Sequence, residues 1–465
     1  MVSPQLPADA VTAAARQPIA FWEAFRFWLK LGFISFGGPA GQIAIMHAEL
    51  VERRRWISER RFLHALNYCM VLPGPEAQQL ATYIGWLMHR TGGGIVAGGL
   101  FVLPSLFILI ALSWVYMAFG TQPLVAGLFY GIKPAVTAIV VHAAHRIGSR
   151  ALKNGWLLAV AAAAFVAIFA LETPFPLIVL GAALIGLVGG RIAPARFHTG
   201  GGNAARKDPH EPALIDDDTP TPAHARYSGT RLALVIAAGL SLWAMPLALV
   251  TALQSWHGTL PQMGWFFTKA ALLTFGGAYA VLPYVYQGAV EQQGWLTGAQ
   301  MIDGLALGET TPGPLIMVVA FVGFVGGWQA NDLASWLGPD HRFAAGAMAA
   351  ALVTWFTFLP SFVFILAGGP LVEATHDDLK FTAPLTAITA AVVGVIVNLA
   401  LFFGGHVLWP RGTEGPFEWP AALIAVAAAI ALWRFKRGVV EVIVGCALVG
   451  LAIHWLRHPT ASAPL

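Results

Sequence analysis

Long apolar stretches separated by short polar loops run through most of the chain. Several of them approach the roughly 20 apolar residues that an α-helix needs to cross a bilayer. The pattern predicts membrane-crossing helices in two groups with one helix, at about 230–254, between them. The first group lies at about 94–119, 123–146, 155–171 and 174–190, and the second at about 343–371, 381–404, 418–433 and 438–456. The fold class expected from this pattern is an all-α polytopic membrane protein.

A set of landmarks occurs twice at one constant spacing. The tripeptide Pro73-Gly74-Pro75 recurs as Pro312-Gly313-Pro314, and 312 − 73 = 239. The same spacing relates Lys30 to Lys269, Phe36-Gly37-Gly38 to Phe275-Gly276-Gly277, Glu52 to Glu291 and Trp56 to Trp295. An ungapped match of this length predicts an internal duplication. Pro104-Ser105 recurs as Pro360-Ser361, 256 residues later, so we place an insertion in the second repeat between Gln329 and Arg342.

The duplication and the polar intervals divide the chain. We expect a first repeat over 20–191, a linking transmembrane helix over 229–256 and a second repeat over 262–457. The long hydrophilic interval is rich in Gly, Pro and Asp, which predicts a flexible linker. It covers 192–228, and residues 1–19 and 458–465 are the predicted terminal tails.

Loop charges predict that the two repeats have opposite orientations. The loop from Arg53 to Arg61 is strongly basic, whereas its counterpart from Gln292 to Gln300 has no Lys or Arg. Basic loops stay on the cytoplasmic side of a membrane, and the single linking helix supplies the odd crossing that inverts the second repeat. We predict two re-entrant hairpins and four full crossings per repeat, giving nine crossings. The alternative is that the broken helices also cross, giving up to thirteen.

Composition excludes several functional classes. Hydrophobic residues make up 57% of the chain and charged residues 11%, whereas soluble proteins carry about 25% charged residues. The net charge of +4 is carried by loops and does not indicate nucleic-acid binding. The two cysteines, Cys69 and Cys446, form neither a disulfide framework nor a metal-ligand cluster. We expect no cofactor, no metal site and no catalytic residues.

Broken helices are the candidate functional feature. Helices that begin after Gly38, Pro75, Gly277 and Pro314 would direct their amide groups, and the positive ends of their dipoles, towards the breaks. Inverted repeats would bring the four breaks together near the membrane midplane, as an anion site. The proposed substrate-binding residues are Lys30, Ser35, Gly37, Gly38, Gly74, Gln78, Lys269, Thr274, Gly276, Gly277, Thr310, Thr311 and Gly313. The helix-breaking prolines are Pro39, Pro73, Pro75, Pro312 and Pro314.

Intramembrane charges add candidates, each with a structural alternative. Lys30 and Lys269 would pair with a bound oxyanion, or their long side chains would reach back to the membrane interface. Glu76 and Glu309 flank the two Pro-Gly-Pro segments at non-equivalent positions, which suggests coupling or gating. The alternative is that each carboxylate bonds to a helix amide. The hydroxyl and amide side chains near the breaks would contact the ligand, or would cap and bridge helices.

These motifs resemble those of the chromate ion transporter family in its long, two-domain form. The resemblance covers nearly the whole chain apart from the linker. It rests on Phe36-Gly37-Gly38-Pro39, Trp56-Ile57, Leu72-Pro73-Gly74-Pro75 with Gln78-Gln79, Phe275-Gly276-Gly277, Glu309-Thr310-Thr311-Pro312-Gly313-Pro314 and Pro384-Leu385-Thr386-Ala387-Ile388. It implies secondary-type chromate efflux across the bacterial inner membrane and hence chromate resistance.

The resemblance sets the expected ligand and membrane, and the loop charges set the expected orientation. Chromate is the expected ligand, sulfate is the alternative oxyanion, and a homodimer in the lipid bilayer is left open. The N-terminus and the 192–228 linker are expected in the cytoplasm and the C-terminus in the periplasm. Two rival functions remain, which are an oxyanion importer or exchanger and a membrane-embedded enzyme.

Overall fold

The computed structural model describes residues 19–36, 38–197, 213–216, 219, 220, 222–275, 277–374, 382–412 and 414–457. These residues are mainly helical, and the one β-bridge among them joins Ile57 to Ile215. The all-α class expected from the hydrophobic pattern is confirmed. Within the described ranges, no three His, Cys, Asp or Glu side chains are placed to hold a metal ion.

The first repeat and the linking helix account for eight helices of the described chain. A π-helical turn, Ala48–Arg53, follows the second helix, and a short helical turn, Pro194–Phe197, follows the seventh. In chain order the eight are α1 (Phe21–Ile34), α2 (Gly38–His47), α3 (Glu59–Val71), α4 (Glu76–Phe119), α5 (Pro123–Ala151), α6 (Gly155–Phe169), α7 (Phe175–Ile192) and the linking helix α8 (Gly229–Gln254).

The second repeat follows the same order with one addition. Its π-helical turn is Gln287–Gln292, and a 3₁₀ turn, Leu315–Met317, leads into α12. Its helices are α9 (Thr259–Leu272), α10 (Ala278–Tyr286), α11 (Gly298–Thr310), α12 (Val318–Gln329), α13 (Asn331–Leu337), α14 (Arg342–Ala374), α15 (Thr382–Leu408), α16 (Trp419–Trp433) and α17 (Val439–Arg457).

The duplication is visible in the helix boundaries. α3 and α11 begin 239 residues apart (298 − 59 = 239) and end at the same spacing, as do the two π-helical turns. The additional helix α13 lies in the interval where the insertion was predicted, and it is bent by 67° from α12. Two homologous repeats are therefore confirmed.

The first repeat contains two helical hairpins that begin and end at one face of the molecule. Non-helical angles at His89 and Arg90 split α4, and its two parts pack against each other. A Cβ atom on Gly85 would lie 2.6 Å from the carbonyl oxygen of Gly93. His89 contacts the carbonyl of Ile19, which places the end of the second hairpin beside the start of the first. Arg54, after the first hairpin, lies 3.7 Å from Glu23 at its start, so both hairpins return to the face from which they begin, as re-entrant helices would.

The linking helix inverts the second repeat. Arg231, near the start of α8, donates a hydrogen bond to the carbonyl of His224, which itself contacts Trp86 at the face just described. The 26 residues of α8 span about 39 Å. The second repeat therefore starts at the other end of the bundle, where Thr259 bonds to Asp332. We call the end that carries Ile19, Trp86 and His224 the linker face, and the other end the far face.

Among the described residues, seven helices meet the requirements for crossing a membrane, and two shorter apolar helices are further candidates. The seven are α4, α5, α7, α8, α14, α15 and α17. The other two, α6 and α16, are apolar but have only 15 residues, or about 22 Å, so they would need local thinning of the roughly 30 Å hydrocarbon core. The total of nine crossings stays a prediction, because it depends on these two short helices.

Part of the linker is docked on the first repeat, whereas the sequence predicted a flexible linker throughout. Residues 213–216 lie along the loop before α3, where the amide of Ser58 donates to the carbonyl of Ile215 and the amide of Ile215 donates to the carbonyl of Trp56. Arg61 also donates to the carbonyl of Thr219. The sequence missed this docking because the apolar pair Leu214-Ile215 is short and isolated within a polar interval. Residues 198–212 lie outside the described chain.

Candidate anion site at the helix breaks

Both Pro-Gly-Pro segments end one helix and start another by means of a glycine with a left-handed backbone. The φ angles are 128° at Gly74 and 112° at Gly313. The following prolines, Pro75 and Pro314, are the N-cap residues of α4 and of the 3₁₀ turn that leads to α12. Pro39 lies in the first turn of α2, where a missing amide proton costs nothing. Pro73 and Pro312 complete the non-helical segments.

The two repeats exchange hydrogen bonds at their breaks. The amide of Gly74 donates to the carbonyl of Thr274 over 2.8 Å, and the amide of Gly313 donates to the carbonyl of Ser35 over 2.8 Å. The two bonds are equivalent, since both donors and both acceptors are related by the 239-residue spacing. Each Pro-Gly-Pro segment thus pairs with the Gly-Gly break of the other repeat, so the breaks meet in two equivalent pairs.

This pairing changes the expected role of two glycines. Gly74 and Gly313 were expected to offer their amides to an anion, but those amides are already bonded to protein carbonyls. Their other contacts are also tight, because a Cβ on Gly74 would lie 2.3 Å from Ser361 Oγ and one on Gly313 would lie 2.8 Å from Ser105 Cβ. The two glycines join the repeats in this structure.

The other pair of breaks is more open. Gly38 and Gly277 have φ angles of 69° and 97°, and a Cβ atom on either would have no neighbour within 4 Å among the described residues. In the described part of the chain, no side chain caps the helix that follows Gly277. Free space beside an uncapped helix N-terminus is the arrangement that an anion requires. Gly37 and Gly276, which were expected to share this role, lie outside the described residues.

The hydroxyl groups near the breaks bond to their own helices. Ser35 and Thr274, which are equivalent, donate to the carbonyls of Leu31 and Ala270 over 2.6 and 2.7 Å. Thr310 and Thr311, which precede the second Pro-Gly-Pro, likewise donate to backbone carbonyls one turn back in α11. In this structure the hydroxyl protons therefore bond to the protein itself, which is the structural alternative to ligand contact.

Three buried glutamines line the first-repeat side of the junction. Gln42 donates to the carbonyl of Gly313 over 2.5 Å and to that of Ser35 over 3.3 Å. Gln78 donates to Thr82 Oγ1, and Gln79 donates to the carbonyl of Pro73. Gln42 is not among the predicted site residues. Its counterpart 239 residues later, Val281, is apolar, so the repeat did not mark this position.

Replacing Gln42 with methionine should destabilise the junction without changing its volume much. The change would leave a buried carbonyl without its donor, which costs about 1–3 kcal/mol in the free energy of unfolding. The measurement is thermal or denaturant unfolding of the purified protein in detergent. Gln262→Met is the matched control, because Gln262 makes its hydrogen bond to His257 at the surface. Equal stability of both variants would contradict the assigned role.

The two carboxylates occupy different environments. Glu76 is the first residue of α4, where the positive end of the helix dipole favours its charge. Glu309 is in the last turn of α11 and accepts a hydrogen bond from the hydroxyl of Tyr279, which lies in the first turn of α10. The second repeat thus joins its two breaks through a side-chain pair. The first repeat has Met70 in place of Glu309.

The structure does not bring Lys30 and Lys269 to the junction. Both side chains are exposed. Side chains on a helix point towards its N-terminus, so each lysine reaches away from the break that follows it. Lys269 lies 5.9 Å from the centre of the Trp265 ring, one turn earlier. Lys30 belongs to a pocket beside the start of α1 at the linker face.

That pocket carries an excess of positive charge. It has a volume of about 420 Å³, and its charged lining residues are Glu23, Arg26, Lys30 and Arg54. Arg54 also lies 3.5 Å from Glu49. Burial acts to raise the pKa of Glu49, but hydrogen bonds and charge from Arg53 and Arg54 outweigh it, so its pKa is lowered and it stays ionised.

Two buried polar clusters lie away from the breaks and were not predicted from the sequence. One joins Asp303 to Tyr116 and Lys133, and the other joins Glu373 to Tyr83 and Arg61. The available signal was an acidic residue inside an otherwise apolar helix, which is expensive in a membrane unless it is paired. His142, by contrast, packs edge-on against Trp433.

Comparison with known proteins identifies the family. The family model described as "Chromate transporter" matches residues 22–187 and 261–451, one match in each repeat. The chain belongs to the chromate transporter family. It is 34% identical to a "Chromate transport protein" of Pseudomonas aeruginosa over 98% of this chain and 97% of that protein. It is 28% identical to a "Chromate transport protein" of Cupriavidus metallidurans over 98% of this chain and 100% of that protein.

Family membership confirms the resemblance seen in the motifs. The family is one of transporters, which agrees with a multi-pass membrane protein. It argues against the membrane-embedded enzyme that the sequence left open. No solved structure matches the chain.

Proposed function

We propose that this protein exports chromate across the inner membrane as a secondary transporter. The observation that carries the proposal is the similarity to chromate transport proteins along essentially the whole chain. The inverted repeats supply the architecture, because many secondary transporters place their substrate between such repeats, at broken helices. In the proposed orientation the linker face is cytoplasmic, with the N-terminus, and the C-terminus is periplasmic.

Chromate would bind beside Gly38 and Gly277. These glycines flank open space at the starts of α2 and α10, whereas the Gly74 and Gly313 amides are engaged between the repeats. Two helix N-termini facing one dianion provide partial positive charge without a buried cation. Glu309 and Tyr279 connect α11 to the first turn of α10, next to Gly277, and are the proposed coupling pair, with Glu76 at the start of α4.

The membrane potential is sufficient to drive this export. A dianion that leaves a cell with a negative interior gains about 4.6 kcal/mol per 100 mV, since one elementary charge gains about 2.3 kcal/mol. That free energy supports a gradient of more than a thousandfold.

The deciding experiment measures chromate uptake by proteoliposomes in which the protein's linker face is outside. An imposed potential, positive inside the vesicle, should accelerate uptake, and an excess of sulfate tests the alternative oxyanion. A chromate uptake rate that does not change with the imposed potential would contradict electrogenic export. Full competition by sulfate at equal concentration would favour the general oxyanion exchanger.

Lys30 and Lys269 are proposed to act at the two entrances instead of at the centre. Lys30→Gln should raise the chromate concentration for half-maximal uptake from the linker face by about 1.4- to fivefold, because a screened surface charge contributes about 0.2–1 kcal/mol. Lys269→Gln should leave that value unchanged and alter only uptake from the far face. Initial rates in vesicles of both orientations provide the measurement. Identical effects of the two variants in both orientations would contradict this assignment.

A further inference from the structure

A buried polar cluster joins the two repeats near the far face. Asp303 of α11 is 2% exposed, and its Oδ2 atom lies 2.8 Å from the hydroxyl of Tyr116 and 3.3 Å from the Nζ atom of Lys133. Its Oδ1 atom is buried and has no hydrogen-bond partner within the described part of the chain. Asp303 belongs to the second repeat, whereas Tyr116 and Lys133 belong to the first. We call these three residues the far cluster.

A second cluster, again formed by a carboxylate, a tyrosine and a cationic side chain, lies near the linker face. Glu373, at the end of α14, accepts a hydrogen bond of 2.5 Å from the hydroxyl of Tyr83 and lies 3.8 Å from Nη1 of Arg61. Arg61 is held in place by its hydrogen bond of 2.7 Å to the Thr219 carbonyl of the linker. Glu373 belongs to the second repeat, and its two partners belong to the first. We call these three residues the linker cluster.

The two clusters occupy corresponding places in the inverted repeats. Tyr116 and Glu373 each lie in the last turn of a long helix, α4 or α14. Arg61 and Asp303 each lie in the first two turns of an equivalent helix, α3 or α11. Thr82, next to Tyr83, packs beside Gly94 and Gly98 in the second part of α4. The distance along α4 from there to Tyr116 is about 30 Å, which separates the clusters by roughly the hydrocarbon thickness of a membrane.

We propose that the far cluster and the linker cluster are the two gates of this transporter, and the assignment rests on the proposed transport function. Access to a central site alternates when one repeat rocks against the other, so contacts between the repeats must break at one face while they hold at the other. Each cluster is a carboxylate of the second repeat held by a tyrosine and a cation of the first. Both clusters are closed in this structure, which therefore shows an occluded state.

Two buried reporter positions test the gates without relying on chromate. Cys69 lies two turns deeper in α3 than Arg61 and is fully buried, so it reports opening at the linker face. Ser113 is fully buried one turn deeper in α4 than Tyr116, so Ser113→Cys in a Cys69→Ala background reports opening at the far face. Cys446→Ala is included in both. Modification by a membrane-impermeant thiol reagent is timed from each side of the vesicle.

Asp303→Asn should accelerate modification at Ser113→Cys by about tenfold and slow it at Cys69, because one partner of a buried ion pair is lost and the equilibrium shifts towards one open state. Glu373→Gln should do the opposite. Glu418→Gln is the matched control, because Glu418 also contacts a tyrosine and a cation, Tyr130 and Arg457, but near the surface. It should change neither rate.

The double variant Lys133→Asp with Asp303→Lys exchanges the two charges and should restore slow modification at the far face. If Asp303→Asn does not fold, this double variant tests the far gate instead. Faster modification of both reporters in either single variant, or unchanged rates in both, would overturn the gates. Absence of chromate transport by the unmodified protein, with the reporter responses intact, would overturn the proposed substrate alone.

Discussion

Replacing Gly313 or Gly74 with alanine is expected to abolish chromate transport and to lower the stability of the protein. Both residues have a left-handed backbone, which costs an L-amino acid roughly 1–2 kcal/mol. The added Cβ would also lie 2.8 Å from Ser105 Cβ at Gly313, or 2.3 Å from Ser361 Oγ at Gly74. Overpacking of this kind adds about 1–3 kcal/mol.

The transport loss should exceed what the instability explains. The strained methyl groups lie where the amides of Gly74 and Gly313 cross to the other repeat, so relief of the clash separates the four breaks. Unfolding in detergent and chromate uptake into proteoliposomes are the two measurements. Gly99→Ala and Gly405→Ala are matched controls, because a Cβ at either position has no neighbour within 4 Å. Full transport by both junction variants would show that the exchanged hydrogen bonds are dispensable.

Glu309→Gln is expected to reduce the transport rate by more than tenfold while the protein remains folded. Glutamine keeps a carbonyl oxygen that accepts the hydrogen bond from Tyr279, so the pair survives and only the charge is lost. A tenfold lower rate corresponds to about 1.4 kcal/mol in the activation barrier. Tyr279→Phe should have the converse effect, a loss of about 1–3 kcal/mol in stability with the charge retained.

The comparison separates a coupling carboxylate from a structural one. Unchanged transport by Glu309→Gln would assign Glu309 to the structural alternative, in which it merely joins α10 to α11. Glu291→Gln is the control for loss of a carboxylate at the far face and should leave transport unchanged. Burial and the nearby charge of Glu172 raise the pKa of Glu291, so ionisation costs stability and the glutamine variant should be slightly more stable at neutral pH.

The sequence by itself determined the repeats, the helices and their inversion. The 239-residue spacing is a property of residue order, and the apolar stretches set helix length through the thickness of the bilayer. Pro73-Gly74-Pro75 and its counterpart predicted the breaks because proline and glycine end helices locally. These features depend on neighbouring residues in the chain, so no tertiary information was needed to predict them.

The tertiary structure alone decided which groups at the breaks remain free. The Gly74 amide bonds to Thr274, 200 residues away in sequence, and nothing local indicates that pairing. Lys30 and Lys269 turn away from the centre because helical side chains point towards the N-terminus, and Asp303 and Glu373 find partners only when the second repeat packs against the first. Electrostatic pairs of this kind depend on distances between helices, which residue order does not specify.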